Sequence, residues 1–139
     1  MIQGLLLILL VIFSGCARPD YISDDEWSKL IPPSGPCSTV FPTTKACGEW
    51  NWNTPVDSSS YANASLTISP SNFFDEVSVV LWMPSMGHGS SPVTVQKQSD
   101  GKYLITQIFF IMPGDWEVRL YLKKSGQVVD QYFIPLMVP

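Results

Sequence analysis

Trp116, Val118, Leu120 and Leu122 alternate without interruption with Glu117, Arg119, Tyr121 and Lys123. A period of two places every apolar side chain on one face of an extended strand, whereas a helix would scatter them around its circumference. Ala64, Leu66 and Ile68 alternate in the same way with Ser65, Thr67 and Ser69, and Val77, Val79, Leu81 and Met83 share a face of residues 76–83. Further strands are expected over 93–98, 102–111 and 127–138, separated by Ser99-Asp100-Gly101 and Ser125-Gly126. Met112-Pro113-Gly114-Asp115 has Pro and Gly where a type II turn needs them. No segment has the periodicity of a long helix, which excludes a parallel α/β fold. Short strands with turns at this spacing predict an all-β, immunoglobulin-like antiparallel β-sandwich. Residues 37–61 are rich in Thr, Ser, Asn and Pro and read as irregular. Trp50 and Trp52, flanking Asn51, are expected to pack onto the domain, with exposed ligand stacking as the alternative.

Leu5 to Phe13 is an unbroken apolar run followed by Ser14-Gly15-Cys16. It is too short to span a bilayer, which takes about 20 apolar residues, and has the length of a secretion signal core. Phe13-Ser14-Gly15-Cys16 resembles a bacterial lipobox, with Phe13 where leucine is usual. The resemblance implies a lipoprotein signal peptide over 1–15 and a lipidated Cys16. A flexible tether over 16–36 and a sandwich domain over 37–139 would follow. The tether holds Asp20, Asp24, Asp25 and Glu26, ends in Pro32-Pro33-Ser34-Gly35-Pro36, and has room for a helical turn or two over Asp24–Leu30. Two or more acyl chains anchor a protein stably without spanning. The expected location is therefore the bacterial cell envelope, lipid-anchored, on the periplasmic or surface side. Ala17, in place of an aspartate, favours the outer membrane in a Gram-negative cell.

Eight Lys and Arg against twelve Asp and Glu give a net charge of −4, with no basic run. Nucleic-acid binding has no support in such a chain, and docking onto anionic lipid by charge has none either. With Cys16 acylated, Cys37 and Cys47 are left, and two cysteines in an exported domain are expected to pair. A thiolate metal site fits poorly, because no histidine lies near them.

Trp82-Met83-Pro84-Ser85-Met86-Gly87-His88-Gly89 puts two thioethers, the only histidine and an indole together at the end of a strand. Thioether and imidazole suit copper, the soft sulfurs favouring Cu(I). Met83, Met86 and His88 can converge from this loop, and Met112 from the other turn, with Trp82 as a shield against water and oxidant. The plain alternative is that Met83 and Met112 are core and His88 is solvated. This stretch, followed by Asp100-Gly101-Lys102-Tyr103 and by Phe110-Ile111-Met112-Pro113-Gly114-Asp115-Trp116-Glu117-Val118, resembles the YtkA-like domain. The resemblance covers roughly residues 62–138. It implies an immunoglobulin-like sandwich related to FixH-like proteins, an envelope location, and an association with copper handling and the assembly of copper-containing oxidases.

Catalysis has little to build on. A single histidine, two cysteines expected to be oxidised and no carboxylate pair or serine motif do not assemble a nucleophile, base and orienting group. Two functions remain. One is a non-enzymatic, membrane-anchored lipoprotein that binds a copper ion for carriage, sensing or oxidase assembly. The other is a metal-free module that holds an envelope protein partner through its loops or an edge strand.

Overall fold

The computed structural model describes residues 37–139. The signal peptide, Cys16, the tether over 16–36 and the helical turn at Asp24–Leu30 lie outside the described residues. Nine strands follow in order: β1 (Thr39–Val40), β2 (Cys47–Trp52), β3 (Ala62–Ser69), β4 (Glu76–Met83), β5 (His88–Gly89), β6 (Thr94–Ser99), β7 (Lys102–Ile108), β8 (Gly114–Lys124) and β9 (Gln127–Val138). There is no helix among the described residues. One sheet has the order β1-β2-β3-β7-β6 and the other β5-β4-β8-β9, and all pairings are antiparallel. The chain changes sheet after β3, β5 and β7, so strands adjacent in sequence are split between the layers. This is the Greek-key arrangement of an immunoglobulin-like sandwich, as expected.

The alternating faces meet in the middle. Ala62, Ala64, Leu66 and Ile68 of β3 pack against Val77, Val79, Leu81 and Met83 of β4 and against Trp116, Val118, Leu120 and Leu122 of β8, all buried. Each large aliphatic or aromatic side chain contributes roughly 1.5–3 kcal/mol by leaving water. In β7 the period slips. Ala64 pairs with Ile105 but Ala62 with Ile108, and Gln107 in the bulge takes a φ of 59°. The extra residue lets Ile105 and Ile108, three apart, both face inward.

Two local expectations need correction. Residues 37–61 are not wholly irregular, because β2 pairs with β3 over its whole length, Cys47 with Ser69 through Trp52 with Ala64. Its inward positions are Gly48, Trp50 and Trp52, and a glycine at one of three apolar positions hides the alternation. The expected type II turn over 112–115 is a bend over 111–113, and Gly114 already pairs with Val138.

Residues on the outer face of the β4-β8-β9 sheet are less exposed than alternation alone would make them. Glu117 is 3% exposed. It accepts from Arg119 Nε at 2.7 Å, and the guanidinium lies 4.9 Å from the Trp82 ring and 4.6 Å from that of Phe133. The cation covers the carboxylate, and two aromatic faces cover the cation.

The β1–β2 hairpin ties the two sheets together at one edge. Cys37 and Cys47 form the expected disulfide, with Cα atoms 5.0 Å apart; closing a loop of this length stabilises by about 3 kcal/mol in the chain-entropy model. Asp130 of β9 accepts from the backbone N–H of Thr43 (3.0 Å) and Thr44 (2.6 Å) and from Thr44 Oγ1 (2.8 Å). Its own next N–H, on Gln131, donates at 2.9 Å. Burial alone would push this carboxyl up. The hydrogen bonds from Thr44, Gln131 and Thr43 outweigh it and hold the carboxyl below the usual 3.8. A carboxylate with a depressed pKa adds stability above its unfolded pKa and loses it as pH falls through the folded value. Asp130→Asn should therefore cost about 1–3 kcal/mol at neutral pH and remove part of the acid sensitivity. Urea unfolding at neutral pH and in acid checks both; an unchanged acid slope would show that Asp130 does not carry it.

Candidate metal centre

Strand register gathers the candidate ligands at one end of the sandwich. Met83 closes β4, and Met83 pairs directly with His88 of the two-residue strand β5. Directly opposed residues of an antiparallel pair share a face, with Cβ atoms about 5 Å apart. The connecting turn is closed by Gly87 N–H donating to the Met83 carbonyl at 2.9 Å, with Gly87 at a φ of 66°, where a side chain is strained. Pro84 follows Met83 and ends the ladder.

The second turn arrives from β8. Gly114 sits so close to Met83 that a Cβ there would lie 3.1 Å from the Met83 Cε, and its φ of 133° suits glycine alone. Trp116 Nε1 donates to the Met112 carbonyl at 3.0 Å, holding the bend against the strand. The Trp116 ring lies 6.1 Å from the His88 ring. His88 and the Met112 bend thus meet at Trp116 and Met83 reaches Gly114 of the same turn, while Met86 stands 59% exposed at the tip of the first turn. Met83 is 3% exposed, and His88 and Met112 are half-buried.

His88 Nδ1 lies 3.0 Å from the Gly89 carbonyl. A carbonyl only accepts, so as a hydrogen bond this contact has Nδ1 as the donor, and in the neutral ring with that tautomer Nε2 is the nitrogen that could ligate a metal. The charge around the site is one-sided. The segments 53–63, 84–93 and 108–115, which form this end, contain Asp57 and Asp115 but no Lys or Arg. The Ser59 N–H, with the Ser59 and Ser60 hydroxyls and the Ser60 N–H, holds Asp57 below its usual value. No group of three or more His, Cys, Asp and Glu that could hold a metal exists among the described residues. The donor side chains that this end carries are thioethers with one imidazole, a set that suits a soft monovalent ion better than zinc or a hard cation.

Trp82 does not shield this site. Alternation turns it to the outer face, onto Arg119, and Trp116 occupies the place beside His88. Trp116 is legible in the sequence as an inward residue, but its neighbourhood depends on the pairing of β4 with β8. Of the expected cluster, the fold brings together Met83, His88 and the Met112 turn; Met86 remains at the rim.

Gly114→Ala tests the closeness of the two turns. The strained φ and the Met83 contact should together cost roughly 1–3 kcal/mol, measured by urea unfolding. In methyl NMR the Met83 resonance should move while that of Met86 stays. Equal shifts for both would mean that the substitution disturbs the whole turn instead.

A search of curated proteins and a search of solved structures each found no match. The family model described as YtkA-like matches residues 73–121, a narrower span than the 62–138 of the sequence resemblance. It runs from just before β4 into β8 and takes in both turns. Residues 73–121 are thus similar to the YtkA-like family, and that matched stretch contains Met83, Met86, His88 and Met112.

Proposed function

We propose that this chain is a non-enzymatic, lipid-anchored envelope protein whose sandwich binds one copper ion as Cu(I), for carriage, sensing or the assembly of a copper enzyme. The observation that carries the reading is the direct pairing of Met83 with His88, beside the Met112 turn, at an end without Lys or Arg. Thioethers and a neutral imidazole add no charge, so a monovalent ion keeps its own, and Asp57 and Asp115 favour a cation there. Met86, at the exposed tip, would meet the ion first and release it to a partner.

A second reading has one observation in its favour. Tyr61 (66% exposed), Ile111 (45%) and Met137 (65%) share this end with Met86, an apolar rim suited to a metal-free contact with another envelope protein.

Cu(I) titration of the purified protein against a competing chelator separates the two. Binding should weaken on acidification, because imidazole must shed its proton to ligate while thioether need not. His88→Ala should weaken binding and flatten that dependence. Met86→Ala should weaken Cu(I) more than Cu(II). Met83→Ala is a poor probe, since loss of a buried Met costs about 2–5 kcal/mol of stability by itself. No competition for Cu(I) at micromolar free ion would end the copper reading and leave the rim.

The anchor has its own test. Lipidated Cys16 predicts a protein in the membrane fraction, with a Cys16→Ser form that is released or left unprocessed. A soluble wild-type protein with an unmodified amino terminus would refute the anchor and leave the domain's chemistry untouched.

A further inference from the structure

Aromatic rings lead away from His88 in an unbroken series. Trp116 lies 6.1 Å from the His88 ring, Phe110 5.3 Å from Trp116, Trp52 6.4 Å from Phe110, and Trp50 5.2 Å from Trp52, centroid to centroid. The series starts in the β5-β4-β8-β9 sheet and ends on β2 of the other. Trp116 and Phe110 are wholly buried, so the middle of the series runs through the core.

We infer that Trp116 and Trp52, bridged by Phe110, form a relay that moves an oxidising equivalent from the metal side of the sandwich to the opposite sheet. When no proton is lost, indole gives up an electron more easily than phenol or phenyl; phenyl is not oxidised under such conditions and serves only as the bridge. The hydrogen bond from Trp116 Nε1 to the Met112 carbonyl stabilises a positive charge on that ring. A carbonyl is not a base, so the oxidised Trp116 keeps its proton and the charge moves on. Trp50 stops it. Its Nε1 is buried without a partner, alone in this among the described side chains outside exposed residues, so nothing solvates a positive charge on that indole or takes its proton. Such an orphaned donor is destabilising, and packing alone does not explain it. Trp52, half-buried, keeps access to solvent and has the Trp50 ring beside it to stabilise a cation. The equivalent comes to rest on Trp52.

The inference rests on the proposed copper site for its use in the cell. Hydrogen peroxide reduced to two waters takes two electrons and two protons. Copper held as Cu(I) by Met83, Met86, His88 and Met112 would supply one of these electrons. Trp52 supplies the second electron and its N–H proton and becomes the neutral radical, and solvent supplies the other proton. A thiol can then return one hydrogen atom to Trp52 and become a thiyl radical. The relay would spare His88 and the methionines, the groups nearest the oxidant.

The test needs no copper. His88 is the only histidine in the chain, so a ruthenium polypyridyl photosensitiser that coordinates imidazole is placed there alone. Flash oxidation of the label in the full-length protein, with an external electron acceptor, should yield a tryptophanyl radical while the label recovers. Trp116→Phe should slow that recovery by about an order of magnitude. Trp52→Phe should leave the first transfer intact but strand the radical on Trp116, distinguishable by electron paramagnetic resonance. Phe110→Leu, milder for folding, should slow passage to Trp52 without slowing oxidation of Trp116. Absence of a tryptophan radical in the wild type, or a radical on Trp52 that appears in Phe110→Leu and Trp116→Phe as fast as in the wild type, would overturn the relay. Failure to bind Cu(I) would instead remove only its proposed use.

Discussion

The burial of one face of β8 carries the architecture. Trp116, Val118, Leu120 and Leu122 have no exposed surface, and the strand that bears them is held by β4 on one side and β9 on the other. Because strand geometry gives no choice of face, Glu117, Arg119 and Tyr121 must point outward. The register with β4 then sets Arg119 opposite Val80 and Glu117 opposite Trp82. A slip by one residue would drive Glu117 and Arg119 into the core, where an unmatched charge is intolerable. The ion pair on the outer face and the apolar row on the inner one therefore enforce the same register. The position of the Met112 bend relative to Met83 follows from that register.

Period-two alternation made β3, β4 and β8 legible in the sequence, since one face of each meets a core and the other does not, whereas β9 was marked by the Ser125-Gly126 turn before it. β2 was not legible. Its inward set is Gly48, Trp50 and Trp52, and it becomes a strand through the partner that β3 provides rather than through its own pattern. The bulge at Gln107 was hidden for a similar reason: Ile105 and Ile108 break the alternation locally, and only pairing with Ala62 and Ala64 accounts for the extra residue. Long-range pairing leaves little trace in a short window.

The candidate centre was legible in part. Met83, Met86 and His88 are neighbours in sequence, and Met112 was drawn in from a separate turn. Geometry then sorted them by face. Met83 and His88 oppose each other across a ladder, whereas Trp82, adjacent in sequence, is sent to the other side of the sheet. Trp116 is remote in sequence and lies beside His88. Proximity along the chain is thus a poor guide within a strand, where successive residues never share an environment, and a good one within a turn.

The Cys37–Cys47 link and the Asp130 clasp set how force would travel through the molecule. A pull on the domain through residues 1–36 enters at Cys37 and crosses the disulfide directly to Cys47. The two-residue strand β1 and its turn are bypassed and cannot be peeled away one hydrogen bond at a time. The load arrives instead at the end of β2, whose six residues are all paired with β3 and which sits one strand from the middle of its sheet. The load is thus shared with the β2–β3 ladder from its Cys47–Ser69 end, opposite the Trp52–Ala64 end toward which Met83 and His88 lie.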